Sequence, residues 1–192
     1  MNLSAISTTQ IAIVIAVAFV VTACIGILFF MRKRRTYRLR NQFGGAEYTL
    51  AVKEGGSKRR AEAALDKRAE RVEGFHIKPV GPAERARFVE SWGKVQARFV
   101  DSPGDAITDA DQLLGEVMSA RGYPVGDFDQ RAADISVDHA LVLANYRAAH
   151  QIALRQAQGQ VNTEDLRQAI IHYRTLFDEL VSELELAHAK GA

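Results

Sequence analysis

The sequence predicts an all-α membrane protein: a single N-terminal transmembrane helix, a charged juxtamembrane helical arm, and a bundle of about four main helices. Three observations predict it. Residues 11–31 form an apolar run of 21 residues without a charge. Arg32, Lys33, Arg34, Arg35, Arg38 and Arg40 follow at once, six cations in nine residues. Beyond residue 79, apolar side chains recur at steps of three and four, which is the helical period, and no alternating strand pattern competes with it. Composition agrees. With 47% hydrophobic residues and a net charge of +2, the chain is not a disordered polymer. One cysteine, Cys24, excludes a disulfide framework and a Cys-rich zinc site. The near-neutral total hides an asymmetry. Residues 1–78 hold 14 Lys/Arg against 6 Asp/Glu, and residues 79–192 hold 11 against 17. Two environments follow from that split.

The span comes first. A helix of 21 residues covers about 31 Å, which matches a ~30 Å hydrocarbon core. Thr22 is its one clearly polar side chain, and a threonine hydroxyl bonds back to its own helix. Residues 1–10 contain no Lys or Arg, so all nearby cations lie on the C-terminal side. Cytoplasmic flanks carry the Lys/Arg excess. The expected topology puts residues 1–10 outside as a tail and everything after residue 31 in the cytoplasm. The same six cations form a membrane-surface collar for anionic lipid head groups. Pinned against a bilayer, they are not expected to bind nucleic acid. The alternative is an exported or lipid-anchored protein. Val21-Thr22-Ala23-Cys24 resembles a lipobox, but the apolar run continues past it and lacks a basic n-region before it.

Residues 32–78 are the basic juxtamembrane arm. Phe43-Gly44-Gly45 and Gly55-Gly56-Ser57 punctuate it. A short helix is expected over 46–54. Ser57 is a natural N-cap for a helix over Lys58–Glu73, whose apolar stripe is thin: Ala61, Leu65, Ala69 and Val72. Such a helix is either a stalk for a partner or a solvated helix resting on the bundle, and the second reading is preferred.

Residues 79–192 are the bundle. Gly81-Pro82 opens a helix over 83–100 with Phe88, Trp92, Val95 and Phe99 on one face. The next, over 104–121, buries Ile107, Ala110, Leu114 and Val117, and Asp105, Asp109 and Asp111 suit its N-terminal dipole. Gly122 is placed to end it. A short helical turn is expected over 127–135. Asp138 or Ser136 then caps a long helix to about residue 158. Asn162 or Thr163 caps the last helix, where Leu166, Ile170, Tyr173, Phe177, Leu180 and Leu184 step regularly. Short connections make neighbours antiparallel, so two packed hairpins are the simplest architecture.

Chemistry is sparse. No Gly-x-Ser-x-Gly elbow, Walker loop, dinucleotide fingerprint or kinase motif appears, and no catalytic residue or cofactor is assigned. No metal site is assigned either. Glu73/His76 is broken by Gly74, Glu185/His188 sits near the chain end, and His139 and His150 are too far apart to share an ion. One constellation stands out. If the last two helices form a hairpin turning near residue 160, then Tyr146, Arg147, His150, His172, Tyr173 and Arg174 occupy about one layer, with Arg147 near Tyr173. Guanidinium and phenol groups suit a small anionic ligand or a partner peptide. The alternative is a boundary layer with buried tyrosine bodies and arginine heads reaching acids such as Asp134 or Asp138. A protein partner or a second copy of the chain also suits such a module.

Four stretches read together carry a resemblance: WGKVQARFVDSP (92–103), RGYPVGDFDQRAADISVDHA (121–140), NYRAAH (145–150) and EDLRQAIIHYRTLFDEL (164–180). The chain resembles, over residues 36–181, an uncharacterised bacterial family of short proteins with an N-terminal apolar segment, labelled secreted or membrane proteins. The resemblance implies no activity and brings no functional residue with it.

Overall fold

The computed structural model describes residues 8–189, with side chains described over 16–182. The tail and Leu184 therefore fall wholly or partly outside the described residues, as do the side chains of Glu185 and His188. Within them the molecule is all-helical. Its helices are α1 (Thr8–Gln42), α2 (Gly44–Gly55), α3 (Lys58–Glu73), α4 (Pro82–Asp101), α5 (Pro103–Arg121), α6 (Phe128–Asp138), α7 (Ala140–Ala157) and α8 (Thr163–Ala189).

α1 is the one described helix long and apolar enough to cross a membrane. Its described apolar side chains up to Met31 are exposed: Phe19, Ile25 and Phe29 by 75%, 61% and 71%. Thr22 Oγ1 donates to the Ala18 carbonyl at 2.8 Å, which hides the one polar group within its own helix. The expected boundary at residue 31 is not a break. The helix runs unbroken through the cationic collar, because arginine and lysine are good helix formers even where hydropathy collapses. It stops at Phe43, and Gly44 takes the positive φ of 71° that turns the chain into α2.

The arm is folded against the bundle. Leu39 and Phe43 from the end of α1 are fully buried with Tyr48, Ala51, Ala61, Leu65 and Val72. Val137 of α6 belongs to the same cluster. α3 follows its sequence signals closely. Ser57 Oγ accepts from the Arg60 N–H at 3.3 Å, and Ala61, Leu65 and Val72 face inward.

In the bundle, α4 packs on α5, α5 on α8, and α8 on α7. Trp92 stacks on Phe177 at 4.8 Å between centroids, so α4 also meets α8. The count of about four main helices needs correcting. α6 is a fifth helix that runs past the expected 127–135 to Asp138, and its Ala132 and Ile135 enter the main core. Its start is capped by Asp127, whose carboxylate accepts from Gln130 N–H at 2.8 Å. α7 is capped by neither Asp138 nor Ser136. His139 occupies that junction, while Ser136 Oγ donates to the Ala133 carbonyl and Asp138 receives the Tyr123 hydroxyl at 3.1 Å. α8 begins with a reciprocal box: Asn162 Oδ1 accepts from Asp165 N–H at 2.8 Å, and Asp165 Oδ2 accepts from Asn162 N–H at 3.2 Å. α5 ends at Gly122, φ 97°, where a Cβ would strike the His76 carbonyl. Lys78 N–H donates to the Arg121 carbonyl at 2.9 Å and ties the arm–bundle connection to that end.

Candidate functional site

The collar is built from the last turns of α1. Its cations point around the whole helix, and the fold uses two of them internally. Arg35 and Arg38 both reach Asp66 of α3, the second at 2.8 Å. Thr36 Oγ1, between them, donates to Glu62 Oε1 at 2.6 Å, and Tyr48 of α2 donates to the same oxygen at 2.9 Å. Arg40 lies over the Tyr48 ring, 5.9 Å from its centroid. Arg34 turns back over Phe30 at 4.6 Å. Arg32 and Lys33 pair with no carboxylate among the described residues. Phe30, Lys33, Arg34 and Tyr37 border, with Arg35 and Arg38, a shallow groove of about 650 Å³, and Tyr37 is 69% exposed. Aromatic and cationic side chains at the exit of an apolar helix suit the bilayer interface, where ring bodies and charged heads find different depths.

The Tyr/Arg/His layer separates on inspection. Tyr146 and Tyr173 do face each other across α7 and α8, edge to face at 6.3 Å, and both are fully buried. Tyr173 donates to Asp111 Oδ1 at 3.3 Å, and Arg131 holds Asp111 Oδ2 at 3.0 Å. Burial first, then Asp111, pushes both phenols above their usual range. His150 stacks flat on Phe128, and burial lowers its pKa. Its ring is therefore packing, beside the tyrosines. His172 Nδ1 lies 3.1 Å from Asn145 Oδ1 on the α7–α8 seam.

The two arginines diverge. Arg174 pairs with Asp178 on its own helix at 2.8 Å and lies over Trp92. Arg147 is paired away from Tyr173. It crosses to the arm and grips Glu47 with both Nη groups, at 2.6 and 3.1 Å, while Arg68 of α3 donates to Glu47 at 2.7 Å. The Glu47 side chain is only 4% exposed. The acids proposed for these arginines are held elsewhere: Asp134 by Arg71 and Gln130, Asp138 by Tyr123. Asp105 and Asp109 likewise both receive Arg98.

Sequence reasoning missed Glu47, whose partner lies a hundred positions away. It also missed a polar pole at the far end of α5. Arg121 Nη1 donates to the Leu180 carbonyl at 3.1 Å, and His139 Nδ1 lies 3.5 Å from Glu179. Burial lowers the pKa of both Arg121 and His139. Arg121 is the last residue of α5, and its burial leaves no local mark in the sequence.

No protein-family model, curated protein or solved structure matches this chain. The geometry therefore stands alone. It contains acids locked by the chain's own arginines, tyrosines held below ionisation, and a cationic exit from an apolar helix.

Proposed function

We propose that this chain is a single-span membrane protein, N-terminus outside, that holds a cytoplasmic helical interaction module at the surface of the cell membrane. The observation that carries the reading is the one-sided charge around the span: six cations in the nine residues after it and no Lys or Arg in the first ten. The unbroken passage of α1 into the buried cluster supports it, since a rigid exit keeps the module against the head groups. Anionic lipid is the first partner. A protein partner or a second copy of the chain is the second, because anchoring raises local concentration and makes weak contacts effective. The module's role is non-enzymatic, and the Tyr/Arg/His residues serve its packing. The test is a pair of reporters fused after residue 192. A cytoplasm-dependent fluorescent protein is expected to be bright and an export-dependent phosphatase silent. An active phosphatase, or a mature chain starting near residue 24, would reverse the topology in favour of an exported or lipid-anchored protein.

A further inference from the structure

Three cations far from the collar in sequence are folded onto it. Lys58, Arg59 and Arg60 open α3, whose first turn contains no acid. That placement opposes the helix dipole, so it works against the local stability of α3. Tertiary contacts fix where this end of α3 lies. Thr36 Oγ1 donates to Glu62 Oε1 at 2.6 Å, and Lys58 Nζ stands 3.9 Å from that same oxygen. Thr36 also lies 3.1 Å from the Arg32 carbonyl. The start of α3 is thereby joined to the first turns beyond the span. Thr36 follows Met31 by five residues, about 7.5 Å of helix, and the head-group layer is ~5–8 Å deep on each side. Lys58, Arg59 and Arg60 are all exposed, and Arg59 and Arg60 pair with no carboxylate among the described residues.

We infer that Arg32, Lys33, Arg34, Lys58, Arg59 and Arg60 form one composite platform that binds anionic phospholipid head groups. The inference rests on the membrane-anchored reading above. Asp66 and Glu62 do not cancel the platform. Asp66 takes up Arg35 and Arg38, and Glu62, held by Thr36 and Tyr48 with Lys58 at 3.9 Å, fastens α3 so that its cationic end meets the collar. The arm thus doubles the charge presented to the bilayer without lengthening the basic run.

The test uses the full chain with Cys24→Ala and Glu54→Cys, labelled with a fluorophore at position 54, just before the turn into α3. The protein is reconstituted into phosphatidylcholine nanodiscs with or without phosphatidylserine, each doped with a lipid whose head group carries a quencher. Phosphatidylserine is expected to raise quenching, and 1 M salt to remove the rise, since the Debye length contracts to about 3 Å. K58Q/R59Q/R60Q is expected to lose the rise while keeping the same thermal unfolding. Quenching indifferent to phosphatidylserine, or a rise that survives in the triple variant, overturns the platform and leaves the anchor intact. Failure of the chain to enter nanodiscs at all overturns the anchored reading together with it.

Discussion

Glu47 is a carboxylate withdrawn from water and held by two guanidinium groups on different helices, α3 and α7. Removing one of those donors strands a buried charge with half its partners. Hydrogen bonds to charged groups are worth ~1.5–3 kcal/mol, so Arg147→Ala is expected to cost about 2 kcal/mol. Arg174 sits 46% exposed against a 51% exposed Asp178. Exposed pairs of this kind contribute ~0–1 kcal/mol, and Arg174→Ala should lie near the lower end. Thermal unfolding followed through Trp92, the single tryptophan and a core residue, distinguishes the two. Equal losses would mean that Glu47 is not the clamp. His139 supplies a pH dependence. Burial, then Arg121, lowers its pKa below the usual 6.5, whereas Glu179 and Asp138 pull the other way. The imidazole stays neutral in the fold while the unfolded chain takes up a proton. Its stabilising contribution is therefore complete above an unfolded pKa of about 6.5 and is lost as pH falls toward the folded value. His150 acts with the same sign. The melting temperature of the reconstituted chain should fall between about pH 7.5 and 5.5, and His139→Gln should flatten that slope. A slope unchanged in the variant would remove His139 from the account.

At the scale of elements, the sequence was legible where a local signal coincided with a tertiary need. Ser57 after a glycine pair marked α3 to the residue, and Asn162, one of the two caps expected for α8, holds the Asp165 N–H at its start. The register of the α7–α8 hairpin was readable too, since Tyr146 and Tyr173 meet as the turn near residue 160 requires. The failures have physical causes. The span 11–31 was read from hydropathy, which reports the solvent around a helix and not its backbone, so it carried no sign that α1 continues eleven residues past Met31. α6 was cut short because Ser136 and Asp138 resemble caps. Both side chains are committed, one to the carbonyl of Ala133 and the other to the Tyr123 hydroxyl, so the helix runs through to the His139 junction. For the Tyr/Arg/His residues, spacing along one hairpin places side chains at a level, as it does Tyr146 and Tyr173, without saying which neighbour each turns toward. Arg147 turned outward to an arm that no local pattern links to it.

At the scale of the molecule, the arm and the bundle share a boundary rather than a linker. Phe75 and Ile77 pack against both apolar clusters, and Val137 of α6 sits in the arm's cluster, not the bundle's. The Glu47 clamp and the Arg71–Asp134 pair cross the same boundary at polar points. The end of α1 completes this arrangement, since Leu39 and Phe43 are both fully buried. Burying a large apolar side chain is worth ~1.5–3 kcal/mol, so the two together contribute about 3–6 kcal/mol as an upper range. Two fragments lacking the span test the consequence. Residues 33–192 retain both side chains, and residues 45–192 lose them. In urea the longer fragment is expected to show one midpoint by far-ultraviolet circular dichroism and by Trp92 emission. The shorter one should unfold at a clearly lower midpoint, with Trp92 itself affected although it lies in the other cluster. Coincident Trp92 midpoints in the two fragments would show that the arm is an appendage whose loss the bundle does not feel. A shift in Trp92 would instead mean that the last turns of α1 are part of the fold of the bundle, so that the direction in which the apolar helix leaves is fixed relative to the whole helical body.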